Sequence, residues 1–428
     1  MGPRGPYGIS ARRPAIICQL SSRSSRLFRQ NAGHRVSVDP SVTFHCTRVS
    51  MRCCVEWTRR AGTGVRYGLA SRRPAPANSF LEVSFGPFNI DRGLSNAGVV
   101  VSRETVFIPA PATEQVLEWD DMISGLRAAY AVQHQSHTSY RAVARGNKTW
   151  LRGLVSCPPA SPFMGTKVFG VARERKVSYL VSLFDQETSE LVALVDALHI
   201  TALRTAATSA VAVDAMVKQG ALNVGILGSG AEAQEHLSAI SRVRPIKTVQ
   251  VFSPTTARRE AFATRFTEEL KVDCKAVATS REAVEGVDLL IAAARSHNET
   301  PIFSGDWLRP GQMVVSIGAT LPEQHEIDPR TIEVCDLIVC DMVHEVIEET
   351  GDFIDAKKAG VAFEHKMATL NDLIMGKLAD RLAAAKIPMY KSVGAAIQDI
   401  TVAEIAYQRA IERKLAVPLP MALVPRQV

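Results

Sequence analysis

Apolar runs of strand length, without polar alternation, recur between Leu222 and Ala319 as NVGIL, TVQVF, VDLLIAAA and MVVSIGA. Runs of this kind are covered on both faces, which predicts strands of a parallel sheet. The segments between them supply connections. AEAQEHLSAI carries a helical period, a second helix is expected from Arg258, and TPIFSGDWLRPGQ is rich in turn residues. Ahead of the first strand, HITALRTAATSAVAVDAM predicts a helix of small residues able to pack closely. The alternation of strand and helix gives an α/β, doubly wound architecture.

The first 98 residues behave differently. Segments such as SSRSSRLFRQ and ASRRPAPANS show neither a helical nor a strand period. They are read as a disordered or non-conforming leader, 1–98, outside the fold argument. An Arg- and Ser-rich, acid-poor stretch also fits an organelle transit peptide, and an over-extended translation start is a further reading. The leader explains the overall charge of +7. Residues 1–80 hold fourteen arginines against Asp39 and Glu56, a net of +12, which leaves −5 for the remainder. A body of that sign has no electrostatic reason to bind nucleic acid. No apolar stretch approaches the roughly 20 residues of a membrane span, so no membrane partner is expected. Cys157, Cys274, Cys335 and Cys340 are scattered without ligand spacing. They read as reduced thiols of a cytoplasmic protein with no metal, Cys335 and Cys340 as core residues flanking DLIV.

The chemistry begins at Leu227. Gly228-Ser229-Gly230-Ala231-Glu232-Ala233 follows a strand and opens a helix, which is the context a dinucleotide fingerprint requires. Gly228 permits the tight turn, Gly230 admits a pyrophosphate to the backbone, and Ala233 lets helix and strand approach. The alternative is a capping turn with no cofactor. At the tip of the next strand an NAD enzyme places an acid, whereas this chain has Ser253, Pro254, Thr255 and Thr256 followed by Arg258 and Arg259. Hydroxyls with guanidinium suit a 2′-phosphate, so NADP is favoured over NAD, unless the arginines merely face solvent at a helix start. Arg204, in an otherwise apolar helix, needs an anionic partner, either a ligand or a structural ion pair.

Four ordered motifs, ITALRTAATSA, GSGAEAQ, VVSIGATLPEQHEID and KSVGAAIQDITVAEIAY, resemble the ornithine cyclodeaminase/mu-crystallin family over residues 104–415. The resemblance implies a Rossmann-type NAD(P) domain, 204–387, and a smaller α+β substrate and dimerisation domain, 99–203 completed by 388–415, with 416–428 a tail. It implies a homodimer acting on a small amino or imino acid. By its motifs Arg141 (with Arg145 second), Lys167 and Arg204 clamp the substrate carboxylate, with Cys157-Pro158 replacing the family's Met-Pro. Thr205, Ser392, Val393 and Gly394 lie near the nicotinamide, and Asp399 follows on the next helix. Lys167 would be the acid, unless it is a surface residue at a strand start.

Cyclodeaminases carry an aspartate where this chain has Thr320, and threonine is no base near neutral pH. The leading expectation is therefore an NAD(P)-dependent ketimine reductase or amino-acid dehydrogenase. The others are an ornithine cyclodeaminase and a non-catalytic cofactor-holding protein. Glu323, His325 and Glu326 are close enough to substitute for the acid, although an exposed loop is their expected place.

Overall fold

The computed structural model describes residues 104–172, 176–296, 298–420 and 425–426, so the leader reading lies outside the described residues. Two sheets carry the fold. The first holds β1 (Val106–Ile108), β2 (Ser139–Arg145), β3 (Trp150–Ser156), β4 (Phe163–Val171), β5 (Val177–Asp185) and β6 (Leu191–Asp196). The second holds β7 (Leu222–Leu227), β8 (Ile246–Phe252), β9 (Asp273–Ala276), β10 (Leu289–Ala292), β11 (Met313–Ser316), β12 (Leu337–Cys340), β13 (Met367–Thr369) and β14 (Pro388–Lys391). The short β15 (Val417–Pro418) returns to pair with β1 in the first sheet.

The second sheet is parallel throughout, in the order β13-β12-β14-β11-β10-β7-β8-β9. β10, β11, β12 and β14 are buried along their whole length, as expected of strands covered on both faces. The chain runs from β7 to β8 and β9 on one side and returns to β10 on the other. The loop after β7 is therefore the switch point, where α/β sheets open a crevice.

In the first sheet β2 to β6 are antiparallel neighbours, while β1 and β6 run parallel. Directly paired residues share a face, and so do residues two apart. One face therefore presents two rows, Arg141, Leu154, Lys167, Val181 and Val143, Arg152, Phe169, Tyr179. The helix Ala396–Glu412 lies across this face, and Ile400 sits so close to Gly165 that a Cβ there would stand 2.7 Å from its Cδ1. The opposite face leaves Tyr140, Leu151, Val155 and Leu180 exposed.

Helix Leu198–Met216 joins the sheets and packs on helix Ala231–Val243. Most of its alanines are fully buried, and small side chains permit that approach. The buried His236 links the two, accepting from Ser209 Oγ at 3.0 Å and donating Nδ1–H to the Glu232 carbonyl at 2.7 Å. Burial lowers the imidazole to about 4, so it stays neutral with one donor and one acceptor.

The 203/204 boundary falls inside the continuous helix Leu198–Met216. Pro388–Lys391, expected with the substrate domain, pairs between β11 and β12, because PMYK is a fully buried strand suited to the middle of a parallel sheet. Val417–Pro418, expected in the tail, is β15. Cys335 and Cys340 are core residues, both fully buried. Among the described residues no helix is long and apolar enough to cross a membrane.

The covering helix depends on its apolar contacts with the first sheet. Ile400→Ala should lower unfolding stability by about 2–5 kcal/mol, read as a shifted urea midpoint with unchanged slope.

Candidate active site

The loop after β7 has the backbone that its sequence demands. Gly228 sits at φ +120°, where a Cβ would meet the Ala293 carbonyl at 2.7 Å. At Gly230 a Cβ would meet nothing within 4 Å, so the turn faces open space at the start of helix Ala231–Val243. That helix has no side-chain cap, leaving its first amides for an anion. Ala231 is its exposed first residue and Ala233 is fully buried beneath it. The absence of a side chain at Gly230, the uncapped amides and the positive φ at Gly228 together fit a dinucleotide pyrophosphate.

At the tip of β8, the buried Ser229 donates to Ser253 Oγ at 2.8 Å. Arg259 Nη1 donates to the Ser253 carbonyl at 2.9 Å and its guanidinium lies over Phe252. Thr255 and Arg258 are exposed. Arg259 is thus committed to shaping the turn, whereas the Arg258 side chain makes no hydrogen bond or ion pair among the described residues.

Lys167 and Arg204 come from different elements and meet on one carboxylate. Lys167 Nζ donates to Asp399 Oδ1 at 2.9 Å, and Arg204 Nε donates to the same oxygen at 3.0 Å. Both cations are buried, so the surface reading of Lys167 does not hold: the side chain projects from β4 under the covering helix and is 1% exposed. Asp399 Oδ2 has no hydrogen-bond partner among the described residues. Burial pulls the ammonium down to about 8 against the pull of Asp399, with Arg204 and Arg152 adding repulsion. The ring centroids of Phe169 and Tyr179 lie 5.3 and 5.4 Å from Nζ and form its apolar wall.

Arg204 is gripped from a second side. Its Nη1 donates to Gln398 Oε1 at 2.7 Å, and Gln398 Nε2 donates to Asp341 Oδ2 at 3.1 Å. Asp341 accepts from Ser392 Oγ, Val393 N and Gly394 N at 2.7, 3.0 and 2.9 Å. Gly394 has φ +84°, and a Cβ there would stand 2.8 Å from Arg204 Nη2. The Ser392–Gly394 loop and Arg204 are thus parts of one cluster. Thr205, the next residue of the helix, is half-buried and its hydroxyl bonds back to the Thr201 carbonyl at 2.7 Å.

Arg141 shares the sheet face of Lys167 and pairs through Nη2 with Glu349 at 2.6 Å. Its Nε and Nη1 are buried without partners among the described residues. Arg145 lies at the exposed rim, 3.4 Å from Glu323. Thr320 directs its amide and its hydroxyl both to Gln324 Oε1, at 2.9 and 3.4 Å, and shares no hydrogen bond with Lys167, Arg204 or Asp399.

Glu326 corrects the exposed-loop expectation. It is fully buried, accepting from Ala294 N at 3.0 Å, Gly318 N at 3.0 Å and Ser316 Oγ at 2.6 Å. It ties together the loops that follow β10 and β11. The buried ion pair of Lys391 with Asp352, at 3.2 Å, lies beside it. Burial raises the Glu326 carboxyl to about 7.

Three residues of the cluster do not stand out in the sequence. Asp341 has a weak signal, an acid ending the apolar run DLIVC, and Gln398 has none. Arg152 is hidden in WLRGLV, where its neighbours give no period. It is 5% exposed, and its Nε and Nη2 have no partner among the described residues.

Asp399→Asn should leave two buried cations under-compensated, costing about 3–5 kcal/mol. A urea melt showing less than about 1 kcal/mol would remove Asp399 as the anchor.

A family model described as "Ornithine cyclodeaminase/mu-crystallin family" matches residues 162–414. A Delta(1)-pyrroline-2-carboxylate reductase of Bacillus cereus is 30% identical over 258 residues, 58% of this chain and 78% of that protein. The ketimine reductase mu-crystallin of Mus musculus is 30% identical over 227 residues, covering 53% and 68%. Among solved structures, the Thermococcus litoralis Delta(1)-pyrroline-2-carboxylate reductase in complex with NADH and L-proline superposes with TM-score 0.66 at 26% identity. That match covers 73% of this chain and 100% of the other. The fingerprint turn, the buried Lys167–Asp399–Arg204 cluster and the matched span together place this chain in the ornithine cyclodeaminase/mu-crystallin family.

Proposed function

We propose that the chain is an NAD(P)-dependent reductase of a small imino acid, with Lys167 as proton donor and Arg141 and Arg204 as carboxylate ligands. The observation that carries this reading is the Lys167 ammonium, buried with a pKa of about 8, on one sheet face with Arg141 and sharing Asp399 with Arg204. Reduction of a C=N bond needs one hydride at carbon and one proton at nitrogen. A bound nicotinamide supplies the hydride. The residues Gly228 to Ala233 would hold the pyrophosphate, and Ser392 to Gly394 would border the nicotinamide end. Thr205 belongs to that border by its place beside Arg204.

The side chains do the rest. Arg141 has free donors on Nε and Nη1 for a carboxylate, and Arg204 is fixed in direction by Asp399, Gln398 and Gly394. With the acid held, the imine nitrogen can be set against Lys167 Nζ, which is protonated at neutral pH and close enough to its pKa to transfer the proton. Phe169 and Tyr179 keep water from the ammonium. A cyclodeaminase would need an additional base at Thr320, whose hydroxyl is held by Gln324 instead.

The free guanidinium of Arg258 and the lack of an acid at the β8 tip favour NADP over NAD. A homodimer is supported by the exposed apolar patch of Tyr140, Leu151, Val155 and Leu180 on the outer face of the first sheet.

A cyclic imino acid with NADPH should give steady loss of nicotinamide absorbance. Ornithine should give no ammonia release. Ammonia release without net absorbance change would replace the reductase with the lyase. The rate constant kcat/KM should be level below pH about 8 and fall about tenfold per unit above it, as Lys167 loses its proton. Lys167→Met should lower kcat by about 10²–10⁴-fold and abolish that limb. Arg258→Gln should raise KM for NADPH about tenfold with little change for NADH, the loss expected for one charge-assisted phosphate contact. An equal effect on both cofactors would leave Arg258 without a discriminating role.

A further inference from the structure

Arg152 is unexplained by the chemistry so far. It stands on the face that carries Arg141 and Lys167, paired with Val143 on one side and Phe169 on the other. It is diagonal to both of those cations, at the roughly 7–8 Å typical of such neighbours. Its guanidinium carbon lies 5.6 Å from the Trp150 ring centroid and 5.8 Å from that of Phe169. Aromatic contact of this kind engages the faces of the guanidinium and leaves its in-plane N–H donors unused. Nε and Nη2 are buried and have no partner among the described residues.

The carboxylates that pair with the neighbouring cations make no ion pair with Arg152. Asp399 serves Lys167 and Arg204, Glu349 serves Arg141, and Glu323 serves the rim residue Arg145. Arg152 has none among the described residues. A buried guanidinium without a carboxylate is costly, and a site retains one when a ligand completes it. We propose that Arg152 receives a second carboxylate of the substrate, so that the site selects a short dicarboxylic imino acid over a monocarboxylic one. This rests on the reductase reading for the position of the reacting carbon, though not for the anion subsite itself. Burial, with repulsion from Arg141 and Arg145, pulls the Arg152 guanidinium down to about 10 against the weaker pull of Glu349 and Glu323.

The test compares two imines formed in solution, from oxaloacetate with ammonia and from pyruvate with ammonia, each reduced by NAD(P)H to the amino acid. The dicarboxylic imine should be preferred in kcat/KM by about tenfold or more. Arg152→Met should lower that preference at least about tenfold, chiefly through KM, because an unpaired polar site discriminates strongly against a ligand lacking the matching group. Arg152→Lys should restore part of it. A ratio near one in the unmodified protein, or an unchanged ratio in Arg152→Met, overturns the proposal.

A binding arm separates it from the reductase reading. With nucleotide present, succinate should bind at least about tenfold more tightly than propionate, and Arg152→Met should lose the difference. That result upholds the subsite even where neither imine is turned over, whereas equal binding of succinate and propionate overturns it. If Arg152→Met does not fold, the succinate-to-propionate ratio of the unmodified protein decides.

Discussion

The Asp399 carboxylate is the constraint on which the rest of the site depends. One of its oxygens receives Lys167 from the first sheet and Arg204 from the helix that leads into β7. Among the described residues, no other ion pair joins these two elements to the covering helix. Two buried cations would repel each other, and each would also bear the cost of desolvation. A single carboxylate between them offsets the repulsion and fixes their directions at once. Strand β4 of the first sheet and the helix that leads into β7 are therefore tied to the covering helix by one side chain.

The same arrangement recurs around Asp341. It accepts three donors from Ser392 to Gly394 and a fourth from Gln398, which in turn holds Arg204. The Ser392–Gly394 loop is thereby tied to Arg204. Glu326 performs the corresponding task at the ends of β10 and β11, where three donors converge on it. Buried polar groups of this kind contribute through completeness, since each missing partner leaves a desolvated charge.

The cofactor half is legible in the sequence because backbone conformation dictates it. Gly228 and Gly230 are set by steric rules that hold in any chain, and apolar runs announce buried parallel strands. The runs overstate the strands: VDLLIAAA contains only Leu289–Ala292, because hydropathy does not mark where pairing stops. The substrate half is legible only through motifs. SYRAVARGNKTWLRGLVS contains β2 and β3, yet its residues follow no clean alternation, since one face carries Arg141 and Arg152 where a core face would be apolar. Function breaks the pattern that would reveal the strands. The PMYK strand is hidden for another reason: four residues flanked by an alanine helix and a serine loop carry too little signal alone. Glu326 defies its sequence setting because a charged loop residue is usually exposed, and only the convergence of three distant donors makes its burial favourable.

The direction of the chemistry follows from the groups that can exchange a proton at neutral pH on the substrate face. Lys167 is brought into that range by burial, and it is the one amine there among the described residues. Arg204 is raised in spite of its burial, by Asp399 and Asp341, and Arg152, drawn down to about 10 by burial, still carries its charge near neutral pH. Glu326 has a raised pKa, but its oxygens are occupied by Ser316 and backbone amides, and it serves the loops instead of the substrate. Imine reduction consumes one proton per turnover, a demand that a single lysine recharged from solvent is able to meet. Deamination followed by cyclisation must remove a proton from one nitrogen and deliver one to another, which calls for a second group of independent pKa. The position where such a group would stand is Thr320, a hydroxyl that donates to Gln324 and does not ionise in the working range. A face with one amine drawn into this range among several guanidinium groups suits the proposed imine reduction better than a deaminating cyclisation.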